Sequence, residues 1–320
     1  METRQVDVLI VGAGISGIGA AYHVKTMCPT RTFAVIEGRD QLGGTWDLFR
    51  YPGVRSDSDM FTLGFKAMPW RRPLSIADGQ SILDYLQRVA RDTSVETLIR
   101  YRKRVVDMQW SSARCEWQVT VVDSSDGNEE ILRTKFVHLC TGYYDYRQAH
   151  RPPFEGEHDF RGRIVHPQFW PTDLDYHGLR IVIVGSGATA VTLGPAMAGT
   201  AAHVTMLQRS PSFVANQPSI DAWARTLEHF LPAAIVYPLV RWKRILTSAF
   251  FYKIARRRPR VFRRRLLELA AQELPPDFDV HKHFSPTYEP WDQRLCAVPD
   301  GDLFKEITAG RMSVVTDRIE

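Results

Sequence analysis

Long apolar runs are missing from this chain of 320 residues. No stretch reaches the roughly 18 consecutive apolar residues that a transmembrane helix requires. The first residues also lack the apolar core of a signal peptide, because the short apolar stretch at 8–11 leads directly into glycines. From these two absences we expect a cytoplasmic protein.

Cysteine is scarce, and none of the four cysteines forms a CxxC pair with another. This spacing argues against a zinc ribbon and against a thioredoxin-like redox pair. We therefore predict reduced, unpaired thiols and no metal site.

Acidic residues are missing from 241–265, a segment that contains eleven lysines and arginines. Three interpretations remain open. The segment is the solvated basic face of a helical insertion, or it associates weakly with anionic membrane at the inner face of the cell membrane. The third interpretation, nucleic-acid binding, is disfavoured because no nucleic-acid-binding motif accompanies the segment. We predict no nucleic-acid partner.

The remaining composition is typical of a globular protein, and the length predicts about two domains. Near the N-terminus, a short apolar strand is followed by Gly12, Gly14 and Gly17 and then by a helical pattern. This is the GxGxxG turn that brings a pyrophosphate to the start of a helix. Glu37 lies 20 residues beyond Gly17, where an acid accepts hydrogen bonds from a ribose.

A second strand–turn–helix pattern contains Gly185, Gly187 and Ala190, with alanine as an accepted variant of the third glycine. Gln208 and Arg209 occupy its ribose position. An acid there would repel a 2′-phosphate, whereas an arginine would pair with it. The second turn is therefore predicted to be specific for NADP.

An acidic and a basic ribose position in one chain favour FAD at the first turn and NADPH at the second. The fold predicted is α/β, with two Rossmann-like dinucleotide-binding domains, a β-meander in the first and a helical insertion in the second. We expect the N-terminal part of the FAD-binding domain over 1–147, a linker and NADPH-binding domain over 148–217, the helical insertion over 218–292, and the start of a return to the NADPH domain over 293–320.

Residues 160–171 match the pattern FxGxxxHxxxWP, the fingerprint of Baeyer–Villiger monooxygenases. The fixed positions of this pattern are Phe160, Gly162, His166, Trp170 and Pro171. Residues 43–57 fit a second motif of that family, [AG]GxWxxxx[FY]P[GM]xxxD. The chain thus resembles Baeyer–Villiger and flavin-containing monooxygenases from end to end, and most of all the mycobacterial branch that contains the ethionamide-activating monooxygenase.

The resemblance implies an enzyme in which NADPH reduces FAD and the reduced flavin forms a flavin peroxide with O2. That oxidant inserts one oxygen atom into a ketone or adds it to a soft sulfur or nitrogen atom. Arg294 matches the family's active-site arginine, and Asp57 matches the carboxylate that orients it. For His166 we favour a linker hydrogen bond that couples domain movement over general-base catalysis.

The expected cofactor-binding residues combine both turns with the second motif. They are Gly12, Gly14, Ser16, Gly17, Glu37, Gly44, Thr45, Trp46, Asp57, Gly185, Gly187, Ala188, Thr189, Ala190, Arg209 and Ser210.

Two rival hypotheses have different signatures. A pyridine-nucleotide disulfide reductase shares the plan of two dinucleotide sites but needs a cysteine pair near its flavin, and this chain has none.

The family pattern continues beyond residue 320, so we expect a C-terminally truncated chain, either a fragment or the product of a truncated gene. The alternative function is then a catalytically impaired dinucleotide-binding remnant that retains little FAD.

Overall fold

The computed structural model describes residues 3–293 and 295–319, and its contacts divide the chain into two compact units. The first unit contains the chain up to Phe49 together with Gly79–His150, and the second contains Arg50–Asp78 and the chain from Arg151 onward. Residues 50–78, which the sequence analysis places in the first domain, thus pack with the second unit. These units are defined by packing and not by cofactors, so the predicted domain boundaries stay a prediction.

The secondary structure alternates strands and helices in both units. The strands are β1 (Thr3–Val11), β2 (Phe33–Ile36), β3 (Ile99–Arg100), β4 (Lys103–Ser111), β5 (Glu116–Asp123), β6 (Glu129–Leu139), β7 (Arg180–Val184), β8 (His203–Gln208), β9 (Phe213–Gln217), β10 (Leu295–Pro299) and β11 (Met312–Thr316). The helices are α1 (Ile15–Met27), α2 (Thr45–Leu48), α3 (Met60–Leu63), α4 (Gly79–Asp92), α5 (Ala188–Ala198), α6 (Ala222–Leu227), α7 (Ala233–Arg257), α8 (Pro259–Gln272), α9 (Val280–Phe284) and α10 (Asp302–Thr308).

The first unit is built on a six-stranded sheet with the order β3-β2-β1-β6-β5-β4. β1 pairs in parallel with β2 and β6, while β4, β5 and β6 form the antiparallel meander that the sequence predicts. Leu9, Ile36, Val119 and Leu132 share one buried cluster, because alternate residues of a strand point to the same face. The sheet places the ends of β1 and β2 side by side, where the first glycine turn begins.

The second unit contains a parallel sheet with the order β11-β8-β7 and a separate parallel pair of β9 and β10. Its core includes Val204 and Met206 of β8 together with Leu193 of α5, all 5% exposed or less. A Cβ atom at Gly194 would lie 2.6 Å from the Cε atom at the end of the Met312 side chain, so a larger residue there would require that side chain to move. The α5 helix lies against β8 and β11, with its N-terminus at the second glycine turn.

The segment predicted as a helical insertion, 218–292, contains α6, α7, α8 and α9, and a buried acid anchors its first helices. Asp221 is 1% exposed and caps α6 by accepting hydrogen bonds from the backbone amides of Trp223 and Ala224. The same carboxylate lies 2.8 Å from Lys243 and 2.6 Å from Arg244 on α7. Two cations of the basic segment therefore share one buried carboxylate in the second unit.

Among residues 3–293 and 295–319, no helix combines the length and the apolar character that crossing a membrane demands.

Candidate functional site

The first glycine turn connects β1 to α1, and its geometry depends on two glycines. Gly12 has a φ of +106°, and a Cβ atom at this position would lie 2.4 Å from the carbonyl oxygen of Cys140. A Cβ atom at Gly17 would lie 1.8 Å from the carbonyl oxygen of Gly12. No larger side chain fits at either point, so the turn can bring its backbone close to a ligand.

The N-terminus of α1 is left open by the sequence around it. Its N-cap residue, Gly14, has no side chain, and the first turn carries no acid. Within the described residues no side chain caps the helix, so its first amide groups face the turn without a protein partner from a cap. Such an N-terminus is suited to bind a phosphate group.

Glu37 follows β2 and is 5% exposed. Its Oε2 atom accepts a hydrogen bond of 2.7 Å from the amide of Ala13 in the glycine turn, and its Oε1 atom accepts one of 2.9 Å from the amide of Arg39. Each carboxylate oxygen can accept a second hydrogen bond. Glu37 therefore braces the turn and retains acceptor capacity for a ribose hydroxyl.

A cavity of about 940 Å³ opens at this turn, within the first unit. That volume is near the upper end of the roughly 300–1,000 Å³ typical of small-molecule and cofactor sites. Most of the first-site residues expected from the sequence line it, namely Gly12, Gly14, Ser16, Glu37, Gly44, Thr45 and Trp46. Gly44 lies against the turn, since a Cβ atom there would be 3.0 Å from the Cα atom of Gly14.

Arg39 and Tyr146 also line this cavity, and the sequence analysis missed both. The Arg39 guanidinium pairs with Asp47 at 2.7 Å and lies 5.3 Å from the centre of the Tyr146 ring. Burial raises the pKa of the Tyr146 hydroxyl. No motif marks these residues, although the position of Arg39 just beyond Glu37 is a signal that could have found it.

The second glycine turn connects β7 to α5 and repeats the geometry of the first. Gly185 has a φ of +136°, and Gly187 is an extended N-cap that no side chain of the described residues assists. Ala190 is buried against the strand side of the helix at 5% exposure. The Ser186 hydroxyl donates a hydrogen bond of 3.1 Å to the carbonyl oxygen of Ser210, which fixes the turn beside the residues that follow β8.

Gln208 and Arg209 point in different directions at the end of β8. Gln208 is 1% exposed, and its amide nitrogen donates hydrogen bonds to the carbonyl oxygen of His283 and to the Oγ1 atom of Thr316. Arg209 is exposed, and the described part of the chain gives its guanidinium no hydrogen bond or ion pair. Of these two side chains, Arg209 is therefore the one available to a ligand.

Residues 51–57, which belong to the second family motif, pack along α5. The Tyr51 hydroxyl forms a hydrogen bond with the side chain of Thr189. Gly53 has a φ of +75°, and a Cβ atom there would lie 2.6 Å from the Cβ atom of Ala196 and 2.9 Å from the carbonyl oxygen of Thr192. This part of the motif therefore lies beside the second glycine turn, in the second unit.

Arg55 holds the end of this loop in place. Its guanidinium forms a two-pronged ion pair with Asp302 at the start of α10. The exposed Asp57 lines a small cavity together with Ala188 and Cys296. The sequence analysis missed Arg55, although its place two residues before Asp57 in the motif was an available signal.

Arg294, the predicted active-site arginine, lies outside the described residues, so its pairing with Asp57 stays a prediction. The structure does place Asp57 and the strand that begins at Leu295 in the same unit. Cys296 of that strand is 2% exposed and contributes to the small cavity beside Asp57.

The residues of the FxGxxxHxxxWP pattern lie in the irregular segment before β7. Gly162 makes room for the ring of Phe160, because a Cβ atom at Gly162 would lie 2.6 Å from it. The Nδ1 atom of His166 accepts a hydrogen bond of 3.2 Å from the amide of Gln168 and so caps a short helical turn. The Trp170 ring lies edge-on to Tyr176, and Pro171 follows it.

Comparison with known proteins identifies the family. A model described as flavin-binding monooxygenase-like matches residues 64–240, and one described as an NAD(P)-binding Rossmann-like domain matches residues 10–71. The FAD-containing monooxygenase EthA of Mycobacterium tuberculosis (strain ATCC 25618 / H37Rv) is 50% identical over 319 residues, which is 99% of this chain and 65% of the relative. The probable FAD-binding monooxygenase AlmA of Acinetobacter baylyi is 46% identical over 318 residues, 99% of this chain and 64% of the relative.

Solved structures share the fold. An oxidized steroid monooxygenase bound to NADP matches with a TM-score of 0.77 and 21% identity over 98% of this chain and 65% of that one. The OTEMO complex with FAD and NADP matches with a TM-score of 0.76 and 20% identity over 97% of this chain and 65% of that one.

The chain spans about 65% of the length of the curated relatives it matches. These matches confirm the predicted α/β fold class and the resemblance that the motifs indicate. The chain belongs to the flavin-binding monooxygenase-like family.

Proposed function

We propose that this chain acts as an FAD- and NADPH-dependent monooxygenase of Baeyer–Villiger type. Its substrates would be O2 and a small molecule with a ketone group or a soft sulfur or nitrogen atom. The observation that carries the proposal is the pair of open helix N-termini, each behind a glycine turn, with a buried carboxylate beside one and an exposed arginine beside the other.

FAD fits the first turn. The glycines leave space for a pyrophosphate at α1, and Glu37 retains acceptor capacity for a ribose. Gly44, Thr45 and Trp46 line the same cavity, whose volume suits a large cofactor. Bound there, FAD would supply the redox chemistry and the activation of O2.

NADPH fits the second turn. Gly185 and Gly187 expose the N-terminus of α5, and Ala188 and Thr189 form its first turn. Arg209 is free to pair with a 2′-phosphate, and Ser210 follows it on the loop that Ser186 holds. Because Gln208 is turned into the protein, no side chain at the ribose position selects against that phosphate.

Oxygen transfer needs a fixed cation that stabilises a developing oxyanion in a site that excludes water. We propose Arg294 for this role, since arginine stays protonated at any working pH, and Asp57 as the carboxylate that orients it. For His166, the hydrogen bond that its Nδ1 atom accepts supports a structural role in the connecting segment rather than general-base catalysis.

The experiment is a spectrum of the purified chain after reconstitution with FAD. We expect a flavin absorbance band that NADPH bleaches and air restores, with oxygenated product formed from a test ketone or sulfide. Failure to bind FAD would contradict the proposal. Binding or bleaching of FAD without product would also contradict it, and would favour the alternative, a dinucleotide-binding remnant without turnover.

We also propose weak peripheral association with anionic membrane through residues 241–265 and the preceding turns of α7. Apolar residues recur every three or four positions on the exposed face of α7, which is the spacing of one helix stripe. They are Ile235, Leu239, Trp242, Leu246 and Phe250, each 47–63% exposed. Lys253 and Arg257 continue the same face with positive charge, which complements an anionic surface.

Sedimentation with vesicles of anionic lipid tests this association. We expect binding at low salt that weakens at physiological ionic strength, where charges are screened within about 8 Å. A Trp242→Ser variant should bind less, and neutral vesicles should not bind at all. Absence of binding at low salt would leave the interpretation of a solvated basic face.

A further inference from the structure

Residues 285–293 form an irregular connector between α9 and β10, and one of its residues is strained. Trp291 has a φ of +72°, a conformation that a bulky side chain rarely adopts. Strain of this kind persists only where the surroundings hold the backbone in place. Elements from elsewhere in the second unit therefore have to restrain this connector.

The α8 helix holds the start of the connector. The Arg263 guanidinium donates a hydrogen bond of 2.8 Å to the Ser285 hydroxyl and a second one to the carbonyl oxygen of Pro286. The same guanidinium lies 5.7 Å from the centre of the Phe213 ring, and Tyr288 packs edge-on against that ring. One arginine of the basic segment thus holds two adjacent residues at the start of the connector.

The α7 helix holds the end of the connector. The Tyr252 ring packs edge-on against Trp291 with 6.0 Å between ring centres. One turn further along α7, Arg256 forms an ion pair with Asp292. Both contacts are partly exposed, so each alone contributes little stability. Together they restrain two successive residues, one of which is the strained Trp291.

We propose that the helix pair α7 and α8 is a positioning element for the active-site arginine, with Tyr252, Arg256 and Arg263 as its positioning residues. The inference rests on the proposed function, because Arg294 follows Asp292 by two residues and is assigned its role there. The helix pair contacts the connector at residues 285–286 and 291–292, and it thereby restrains the backbone that precedes Arg294 in the sequence. The basic segment thus has a role besides solvation.

Hydrogen exchange of the backbone amides of 287–293 in the full chain tests the restraint directly. Arg263→Gln removes the hydrogen bonds to Ser285 and Pro286, and Tyr252→Ala removes the ring contact with Trp291. We expect exchange in the connector to accelerate about tenfold or more in Arg263→Gln, as loss of a charge-assisted hydrogen bond implies, while α7 and α8 keep their protection. Tyr252→Phe keeps the ring and should exchange like the unmodified chain.

The ion pair is tested by exchanging its charges. Arg256→Asp should accelerate connector exchange, and adding Asp292→Arg to that variant should restore protection. Arg257→Ala and Arg264→Ala are matched controls on the same helices, since the described residues show no hydrogen bond or ion pair from either arginine to the connector, and Arg264 pairs with Glu268 on its own helix. Unchanged exchange in Arg263→Gln and in Arg256→Asp would overturn the proposal.

A second readout separates positioning from simple stability. In the FAD-reconstituted chain, the positioning variants should form less oxygenated product per NADPH consumed, while the KM for NADPH stays unchanged. If these variants instead raise the KM for NADPH and leave the product formed per NADPH unchanged, the residues have a structural role only. That result would overturn the proposal that they position the arginine. If the unmodified chain forms no product, the proposed function fails. Hydrogen exchange still decides whether the helix pair α7 and α8 restrains the connector.

Discussion

The two glycine turns have a similar backbone conformation but differ in the residue that faces the ribose position. At the first turn, a buried glutamate bonds back to the turn through the amide of Ala13. At the second turn, Gln208 occupies a similar strand end but is directed into the second unit, towards His283 and Thr316. Arg209 is left exposed at that position.

The difference teaches that cofactor preference here depends on which way a side chain points as well as on its identity. Glu37 acts on both protein and ligand, because it braces the turn while keeping acceptor capacity. Gln208 forms hydrogen bonds within the second unit, and its neighbour Arg209 is the residue that can contact a ligand. The following predictions test this contrast in order of decreasing effect.

The largest effect is expected for Glu37→Ala. Two backbone amides lose their acceptor, and each buried amide left without one costs about 1–3 kcal/mol. Because the Arg39 amide is only partly buried, we expect the free energy of unfolding to fall by about 2–4 kcal/mol, and FAD binding to be lost. Urea denaturation with and without FAD measures both.

Asp40→Ala is the matched control for Glu37. Its carboxylate is 78% exposed and pairs with Arg102 at 3.4 Å, so its removal should cost less than about 1 kcal/mol. Equal destabilisation by the two variants would show that Glu37 does not brace the turn.

The second effect concerns Arg209→Ala. Loss of a charge-assisted bond to phosphate is worth about 1.5–3 kcal/mol, so the preference for NADPH over NADH should fall by roughly tenfold or more. Titration of the chain with each nucleotide measures this ratio. Arg180→Ala, at the opposite end of β7 from the turn, should leave the ratio unchanged, and an equal loss of both affinities in Arg209→Ala would refute phosphate recognition.

The third effect concerns Gln208→Glu, which places an acid at the sequence position that selects NAD in related turns. Because the side chain is buried and now faces the carbonyl oxygen of His283, we expect a loss of stability of about 1–3 kcal/mol and no gain in NADH preference. Denaturation and nucleotide titration check the two parts. A switch towards NADH would mean that residue 208 faces the ligand.

The smallest effect is a pH dependence that arises beside Gln208. Burial, with a contribution from Lys282, lowers the pKa of His283 below its ordinary value of about 6.5. The unfolded chain therefore takes up a proton first as the pH falls below about 6.5, and stability declines there. The urea midpoint should fall between pH 7.5 and pH 5.5, and less so in His283→Asn. Equal slopes in both proteins would contradict this assignment.

Both strand–turn–helix units could be predicted from the sequence because their signals are local. Glycine spacing and the periodicity of apolar residues are properties of a few adjacent residues. The burial of Gln208 also had a local signal, since it continues the alternation of Val204 and Met206 on the buried face of β8. The sequence analysis treated it only as a ribose position.

Other parts of the site depend on contacts between residues far apart in the chain. Arg55 and Asp302 are 247 positions apart, and no pattern near either residue indicates that they pair. The grouping of residues 50–78 with the second unit has the same cause, because it rests on packing against α5 and on backbone bonds such as that from Ser75 to Ser219. Periodicity carries no information about such contacts.

The close approach of Gly53 to α5 has a consequence for how this family can vary over evolution. With only 2.6 Å between a Cβ atom at position 53 and that of Ala196, a side chain at position 53 would collide with α5. It would lift the loop that carries Asp57 away from the helix. Position 53 should therefore stay glycine across relatives, and a lineage that replaces it should show a compensating change in the loop.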